Sequence, residues 1–241
     1  MKRLESRVRA HLEIVYGEER AAALLNDVIA AMRYGDDIKE PAPYQNYWDE
    51  SDCWLITYAT SVDSPDKPGL PTLEAFCNEH LAGVINGIHV LPFYPFSSDD
   101  GFAVKDYLSV DEKAGEWTHV DELAGQYRLM ADLVINHASS QSEWFQNFIE
   151  RKEPGKDYFK QTSPDEDISQ VVRPRSTPMR HRVETADGER WVWCTFGPDQ
   201  VDLDFGNAEV LIRFIEIIRF YLEHGVRVLR LDAVAFLWKE P

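Results

Sequence analysis

The sequence predicts an α/β fold built on a parallel β-sheet. Short apolar runs rich in β-branched and aromatic residues alternate with amphipathic stretches of helical periodicity. Elements in this order form parallel strands joined by helical crossovers, either in a doubly wound open sheet or in an eight-stranded barrel. The turn after the first apolar run reads SVDSPDKPG, without the glycine-rich phosphate loop, so a nucleotide-binding sheet is disfavoured.

The predicted elements follow one another from the amino terminus. Residues 1–34 predict two helices interrupted at Gly17, and residues 35–50, rich in Pro and Tyr, predict a linker. Strands are predicted at 53–60, 87–96, 128–137 and 226–236, and helices at 71–84, 118–127 (with Thr118 as N-cap) and 207–225 (between an Asn207 cap and Gly225).

The segment 138–206 is irregular, rich in Pro, Asp, Arg and Trp, and much longer than an ordinary connection. It predicts an insertion subdomain. The expected organisation is therefore an N-terminal helical extension with its linker over 1–50 and the main body over 51–241.

Composition excludes several classes of partner. The 241 residues carry a net charge of −17, which repels nucleic acid and anionic membranes. No stretch approaches the roughly 20 apolar residues that span a bilayer, and the first residues lack the apolar region of a secretory signal. The three cysteines, an odd number far apart, indicate free thiols and a cytoplasmic location. Cys77 and His80 supply only half a zinc site, so no metal is expected.

Charged side chains fall inside predicted strands. In VRVLRLDAV (226–234) the even-numbered side chains, including Arg230 and Asp232, share the interior face, and the odd-numbered ones face the outer helices. Burying such charges is unfavourable unless they pair or act. Barrel active sites lie at the carboxyl ends of the strands, where these two residues fall.

Two other strands lead to polar side chains at the same rim. Asp99 and Phe102 follow the second strand, and His137 leaves the third. Asp132 lies five residues upstream of the rim, and we interpret it as a structural hydrogen-bonding group. Arg230 and Asp232 alone would indicate a buried ion pair, whereas the agreement of three strands favours a functional site.

Three segments resemble motifs of the α-amylase superfamily, glycoside hydrolase family 13: DLVINH (132–137), QVDLD (200–204) and GVRVLRLDAV (225–234). Three others look like the sucrose phosphorylase subfamily: HVLPFYPFSSDDGF (89–102), VRPRSTP (172–178) and LDAVAFLWKEP (231–241). The stretch WDESDCWLITYA (48–59) and the helices before it are most similar to the glucosylglycerate phosphorylase branch.

The resemblance implies a (β/α)8 TIM barrel of which about the first four β/α units are present, with a long insertion after the third strand. It makes Asp232 the nucleophile, kept ionised and oriented by Arg230. Around the sugar and phosphate it implies hydrogen bonds from Asp99 and His137, an aromatic wall from Phe102, a polar contact from Gln200 and a phosphate contact from Arg175. The family has a tyrosine where this chain has Phe236, and it needs no cofactor.

The activity implied is retaining phosphorolysis of a small α-glucoside, glucosylglycerate or sucrose, by inorganic phosphate to α-glucose 1-phosphate. A hydrolase of the same superfamily and a non-catalytic barrel are the alternatives. The family's general acid/base glutamate follows the fifth strand and a further aspartate follows the seventh, and neither has a counterpart in the four predicted strands. We therefore expect an N-terminal half that has little activity alone and self-associates through exposed sheet edges.

Overall fold

A computed structural model describes residues 2–36, 48–173 and 175–239. In chain order its elements are α1 (Lys2–Tyr16), α2 (Glu18–Met32), β1 (Trp54–Thr57), α3 (Gly69–His80), β2 (Gly87–Val90), α4 (Trp117–Ala124), β3 (Arg128–Val134), β4 (His137–Ser139), α5 (Glu143–Glu150), β5 (Gln161–Thr162), β6 (Arg180–Thr185), β7 (Gly188–Trp193), β8 (Gln200–Asp202), α6 (Ala208–Glu223) and β9 (Val226–Asp232).

The central sheet has four parallel strands in the order β1-β2-β3-β9. This is half the number in a closed (β/α)8 barrel, and it confirms the expected partial barrel. One face of the sheet shares an apolar core with α3, α4 and α6, to which fully buried side chains such as Ile88, Leu129, Leu123 and Phe214 contribute. Asp132, between the core residues Ala131 and Leu133, is equally buried on the opposite face.

The two predicted N-terminal helices are confirmed and form a second, smaller core with α6. Gly17 separates them with φ of 80°, a left-handed conformation that favours glycine. Leu12, Val28 and Ala208 are buried in this core, and the hydroxyl of Tyr16 donates to the carbonyl of Phe205 at 2.8 Å. Most of the predicted linker, residues 37–47, lies outside the described residues.

The long segment after β3 contains its own secondary structure. β4 pairs with β8 in an antiparallel two-stranded sheet, and β5, β7 and β6 form an antiparallel three-stranded sheet. The two-stranded sheet matters for the site because it carries His137 on one strand and Gln200 on the other.

Several element boundaries differ from the prediction. α3 spans Gly69–His80 rather than 71–84. α4 is capped by Glu116 and not by Thr118, because the Glu116 carboxylate and the His119 ring satisfy each other's backbone N–H groups in a capping box. β2 ends at Val90, shortly before the prolines that interrupt the predicted strand.

The predicted caps of α6 are confirmed. Asn207 Oδ1 accepts a hydrogen bond from the backbone of Glu209 at 3.0 Å, and Gly225 has φ of 78° just after the helix. None of the described helices is both long and apolar enough to cross a lipid bilayer.

Candidate active site

Asp232 is the last residue of β9, at the carboxyl end of the sheet. In the parallel register Asp132 lies opposite Arg230 and Val134 lies opposite Asp232. The following residue, Ala233, has φ of 52°. A left-handed alanine is unfavourable by about 1–2 kcal/mol, so this turn is a strained feature immediately beside the carboxylate.

The Arg230 guanidinium joins two carboxylates on the interior face, as the strand pattern predicts. Nη1 forms an ion pair with Asp132, and Nη2 lies 3.1 Å from Asp232 Oδ1. The Asp132 side chain is fully buried, the Asp232 side chain is 17% exposed and the Arg230 side chain is 45% exposed. The guanidinium carbon also lies 5.7 Å from the centroid of the Phe102 ring. Arg230 therefore connects the buried interior to the open rim.

Burial raises the pKa of the Asp232 carboxyl above its ordinary value. The charge of Arg230 acts in the opposite direction, as does that of His137 when its ring is protonated, and the charge of Asp132 adds to the increase. Arg230 thus favours the ionised form, as the family resemblance implies, but burial outweighs it.

His137, the first residue of β4, is fixed in one tautomer. Its Nε2 lies 2.9 Å from the Phe102 carbonyl, and because a carbonyl only accepts, Nε2 carries the proton. Burial lowers the pKa of His137, against the opposing charge of Asp202. The ring packs against Phe196, with centroids 5.2 Å apart. This buried, neutral imidazole is a specific hydrogen-bonding group.

Gln200 links His137 to the loop that follows β2. Its Nε2 donates to Asp99 Oδ2 at 2.9 Å and lies 3.2 Å from His137 Nε2, which is a contact between two N–H groups and not a hydrogen bond. A continuous series of contacts therefore runs from Asp232 through Arg230, Phe102, His137 and Gln200 to Asp99.

The loop at Asp99 is held in an unusual backbone conformation. Asp99 and Asp100 have φ of 55° and 50°, and Gly101 has φ of 104°. A Cβ at Gly101 would lie 2.8 Å from the Pro92 carbonyl oxygen, so no larger residue fits there. Consecutive left-handed residues are the kind of local strain found at functional sites.

Asp199 is a feature of the rim that the sequence analysis missed. Its carboxylate accepts hydrogen bonds at 2.5–3.3 Å from four hydroxyls, those of Ser97, Ser98, Ser139 and Ser140. Burial alone raises the pKa of Asp199, but these four hydrogen bonds together hold it below its ordinary value.

The hydrogen bonds of Asp199 join three segments of the chain around the pocket. Ser98 precedes Asp99, Ser139 follows His137 by two residues, and Asp199 itself precedes Gln200. One carboxylate therefore fixes three segments that each carry a predicted site residue. The serine pairs are the only sequence signal for this arrangement, and serine pairs are common in loops.

A second missed feature anchors the segment that follows Asp232. Lys239 Nζ lies 3.2 Å from Asp202 Oδ2 and donates to Asn136 Oδ1 at 3.0 Å. Asp202, fully buried, also accepts from the Thr195 backbone at 2.9 Å and from its hydroxyl at 2.6 Å. Burial lowers the pKa of Lys239, and the charge of Asp202 opposes that change.

Arg175 is not part of this cluster of contacts. Its side chain is exposed, and it makes no hydrogen bond or ion pair with a described residue. The nearby Arg173 instead donates to the Thr195 carbonyl at 2.9 Å and lines a cavity of about 270 Å³ beside Phe236. A phosphate contact from Arg175 stays a prediction.

Cys77 and His80, the two residues that could supply only half a zinc site, differ in exposure. Cys77 is buried in the core, whereas the side chain of His80 is 53% exposed, 3.9 Å from Glu79. Across residues 2–36, 48–173 and 175–239, no three His, Cys, Asp or Glu side chains are grouped so that they could hold a metal ion.

The fold and site together define half of a (β/α)8 barrel with an Arg-paired carboxylate at the carboxyl end of its edge strand. A sequence profile described as "Alpha amylase, catalytic domain" matches residues 82–241. The chain belongs to this alpha-amylase family.

Within this family, the chain is similar to several phosphorylases. The glucosylglycerate phosphorylase of Allomeiothermus silvanus is 42% identical over 98% of this chain, and a sucrose phosphorylase of Agrobacterium vitis is 34% identical over 77%. The crystal structure of sucrose 6F-phosphate phosphorylase from Thermoanaerobacter thermosaccharolyticum superposes with a TM-score of 0.72 at 30% identity, over 80% of this chain and 42% of that one. The chain spans 42% and 40% of the two sequence relatives' lengths.

Proposed function

We propose that this chain is part of a retaining α-glucoside phosphorylase. The observation that carries the proposal is Asp232, paired with Arg230 at the end of β9 and connected through the rim to His137 and Asp99. The similarity to a glucosylglycerate phosphorylase over almost the whole chain supports the same reaction class.

Asp232 is the nucleophile in this proposal. Its carboxylate attacks the anomeric carbon of the α-glucoside and forms a β-glucosyl ester, while the glycosidic oxygen leaves with a proton from a second carboxylic acid. A phosphate oxygen then attacks the same carbon while its proton returns to the second carboxylate. The ester bond breaks, and α-glucose 1-phosphate leaves as the Asp232 carboxylate is regenerated. Arg230 orients the attacking oxygen.

The rim residues hold the sugar. His137 and Asp99 are well placed to hydrogen-bond the glucosyl hydroxyls, Gln200 fixes their spacing, and Phe102 covers a ring face. Arg175 is our candidate for phosphate. None of these steps uses a metal or an organic cofactor, because carboxylates supply the nucleophile and the proton.

Glucosylglycerate is the substrate we propose ahead of sucrose, because the glucosylglycerate relative has the higher identity over the larger share of this chain. Small-molecule α-glucoside and inorganic phosphate are then the partners. The unpaired thiols of Cys53, Cys77 and Cys194 support a reducing compartment, and we propose a cytoplasmic location.

A chimera tests the proposal. This chain is fused to the remaining segment of the Allomeiothermus silvanus enzyme, which supplies what the 42% overlap leaves out. We expect phosphate-dependent release of α-glucose 1-phosphate from glucosylglycerate, and a loss of roughly 10⁴-fold or more in the Asp232→Asn chimera because the covalent step is removed.

The control is Asp27→Asn, at an exposed position on the outer helix α2, which should retain activity. Release of free glucose without phosphate would instead support a hydrolase of the same family. A folded chimera with neither activity would contradict both and favour a non-catalytic barrel.

A further inference from the structure

We propose that His89 is a positioning residue for the nucleophile: it holds Asp132, which in turn orients Arg230 against Asp232. The inference rests on the proposed function only in giving Asp232 its catalytic role. The contacts themselves belong to the folded chain.

The four residues lie on three adjacent parallel strands. His89 of β2 is opposite Met130 of β3, two residues before Asp132, and Asp132 is directly opposite Arg230 of β9. His89 Nε2 lies 2.7 Å from Asp132 Oδ2, and Arg230 Nη1 forms its ion pair with Asp132 Oδ1. Each oxygen of the Asp132 carboxylate therefore has its own donor, so the group cannot rotate without breaking one of the two contacts.

Burial makes the contact between His89 and Asp132 rigid. His89 is 4% exposed and Asp132 is fully buried, so neither can exchange its partner for water. The Arg230 side chain is 45% exposed and is fixed mainly at its inner end. Nη2 of Arg230 lies 3.1 Å from Asp232 Oδ1. It stays directed at Asp232 only while the Asp132 carboxylate keeps its orientation.

Other titratable groups lie near Asp132 and Asp232. The Tyr94 hydroxyl donates to the Asp132 backbone carbonyl at 2.9 Å, and burial raises the pKa of Tyr94 beyond the range in which it ionises in ordinary solutions. Burial also raises the pKa of Tyr58, which follows β1. The charges that act on Asp232 are those of Arg230, His137 and Asp132. A change made at His89 therefore reaches Asp232 through Asp132 and Arg230.

The direction of the effect follows from the contacts. In His89→Phe, Asp132 loses its Nε2 donor and relies on Arg230 alone. The guanidinium then shifts toward Asp132 and away from Asp232, so the pKa of the Asp232 carboxyl rises. His89→Gln retains an N–H donor and should restore the wild-type value.

Carboxyl ¹³C NMR on the purified chain measures this, with the Asp232 signal assigned by its absence in Asp232→Asn. We expect an upward shift of about 0.5–1 pH unit in His89→Phe and little change in His89→Gln. The matched control is His80→Phe, the same replacement at an exposed position on α3. An unchanged Asp232 titration in folded His89→Phe, or an equal shift in His80→Phe, would overturn the proposal.

A second measurement covers the case in which His89→Phe does not fold. In Asp232→Asn the Arg230 guanidinium loses its outer charged partner and can shift toward Asp132, so we expect the ring ¹⁵N shifts of His89 to change and those of His80 to stay the same. No change at His89 rejects the proposal. Neither experiment needs turnover, so an inactive chimera would count against the proposed reaction while leaving this result independent.

Discussion

The pocket wall and the edge strand β9 differ in how far their side chains are shielded from solvent by the rest of this chain. On the wall, which is formed by the loop at Asp99 with β4 and β8, His137 is 1% exposed and Gln200 is 6% exposed. On β9, the Arg230 side chain is 45% exposed and Leu231 is 46% exposed.

The difference follows from the sheet order. In the wall, β4 pairs with β8, and Asp199 just before β8 accepts hydrogen bonds from Ser98 and Ser139. Among the described residues, β9 is an outer strand that pairs only with β3. The wall is therefore completed by contacts within this chain, and β9, the strand that carries Asp232, is not. We expect the wall to be stable by itself and β9 to depend on added polypeptide.

The largest loss of stability is expected from substitution of Asp202, a fully buried residue of β8 in the wall. Asp202→Ala removes the ion-pair partner of Lys239 and the acceptor of both hydrogen bonds that Thr195 donates to this carboxylate. Breaking a buried ion pair from one side leaves an uncompensated charge and should lower the free energy of unfolding by about 3–5 kcal/mol. Urea denaturation measures this, with Glu184→Ala, at a 69% exposed side chain, as the control. A loss below about 1 kcal/mol would show that the wall does not depend on this pair.

A smaller effect is expected at Asp199. Replacing it by Ala removes four hydrogen bonds to a charged group and should lower stability by about 1–3 kcal/mol. Because the pKa of Asp199 is lowered in the folded chain, its contribution is full above the ordinary aspartate pKa and disappears as pH falls through the lowered value. Tm values of the wild type and Asp199→Asn should therefore differ at pH 7 and converge in acid. A difference independent of pH would contradict this account.

Part of the site could be predicted from the sequence, and part of it, including Asp199, could not. The strand order and the rim position of Asp232, Arg230 and His137 could be predicted, because charges inside apolar strands are rare and costly to bury. His89 is flanked by apolar residues in its strand and could have been found by the same argument. Asp199 could not, since its partners come from two loops distant in sequence, whose approach depends on the folded insertion.

Helix limits failed for a more local reason. Thr118 is a good cap by residue type, but Glu116 and His119 form a reciprocal pair that starts α4 earlier. Phe76 is an apolar residue inside the stretch that predicts α3, yet it is 37% exposed. Periodicity identifies a helix face but not how far the neighbouring elements cover it.

On the edge strand, a mutation should stabilise rather than destabilise. The pKa of Asp232 is raised in the folded chain, so the ionised carboxyl disfavours folding at pH 7 and the effect vanishes below the ordinary aspartate pKa, where the group is protonated in both states. Asp232→Asn should therefore raise Tm at pH 7; a gain of about 1 kcal/mol corresponds to roughly 2–4 °C for a chain of this size. Calorimetry at pH 7 and pH 3 checks the sign. A lower Tm at pH 7 would mean that the contact with Arg230 outweighs burial.

The smallest effect on stability, with the clearest effect on association, is expected at Leu231. We propose that the exposed edges of β1 and β9 cause self-association of the isolated chain, since unpaired parallel strands present free backbone donors and acceptors. Leu231→Lys places a charge on that edge, should change the unfolding free energy by no more than about 0.5 kcal/mol, and should shift the chain toward monomer in sedimentation velocity.

Ile14→Lys is the matched control, because Ile14 is 81% exposed on α1, away from both sheet edges. If both lysine variants reduce association equally, general apolar exposure is responsible and the edge has no special role. If the wild-type chain is monomeric at all concentrations, β9 is already protected, and the contrast between the wall and the edge strand reduces to one of solvent exposure alone. If only Leu231→Lys dissociates the chain, the strand that carries Asp232 is the surface that requires a further partner.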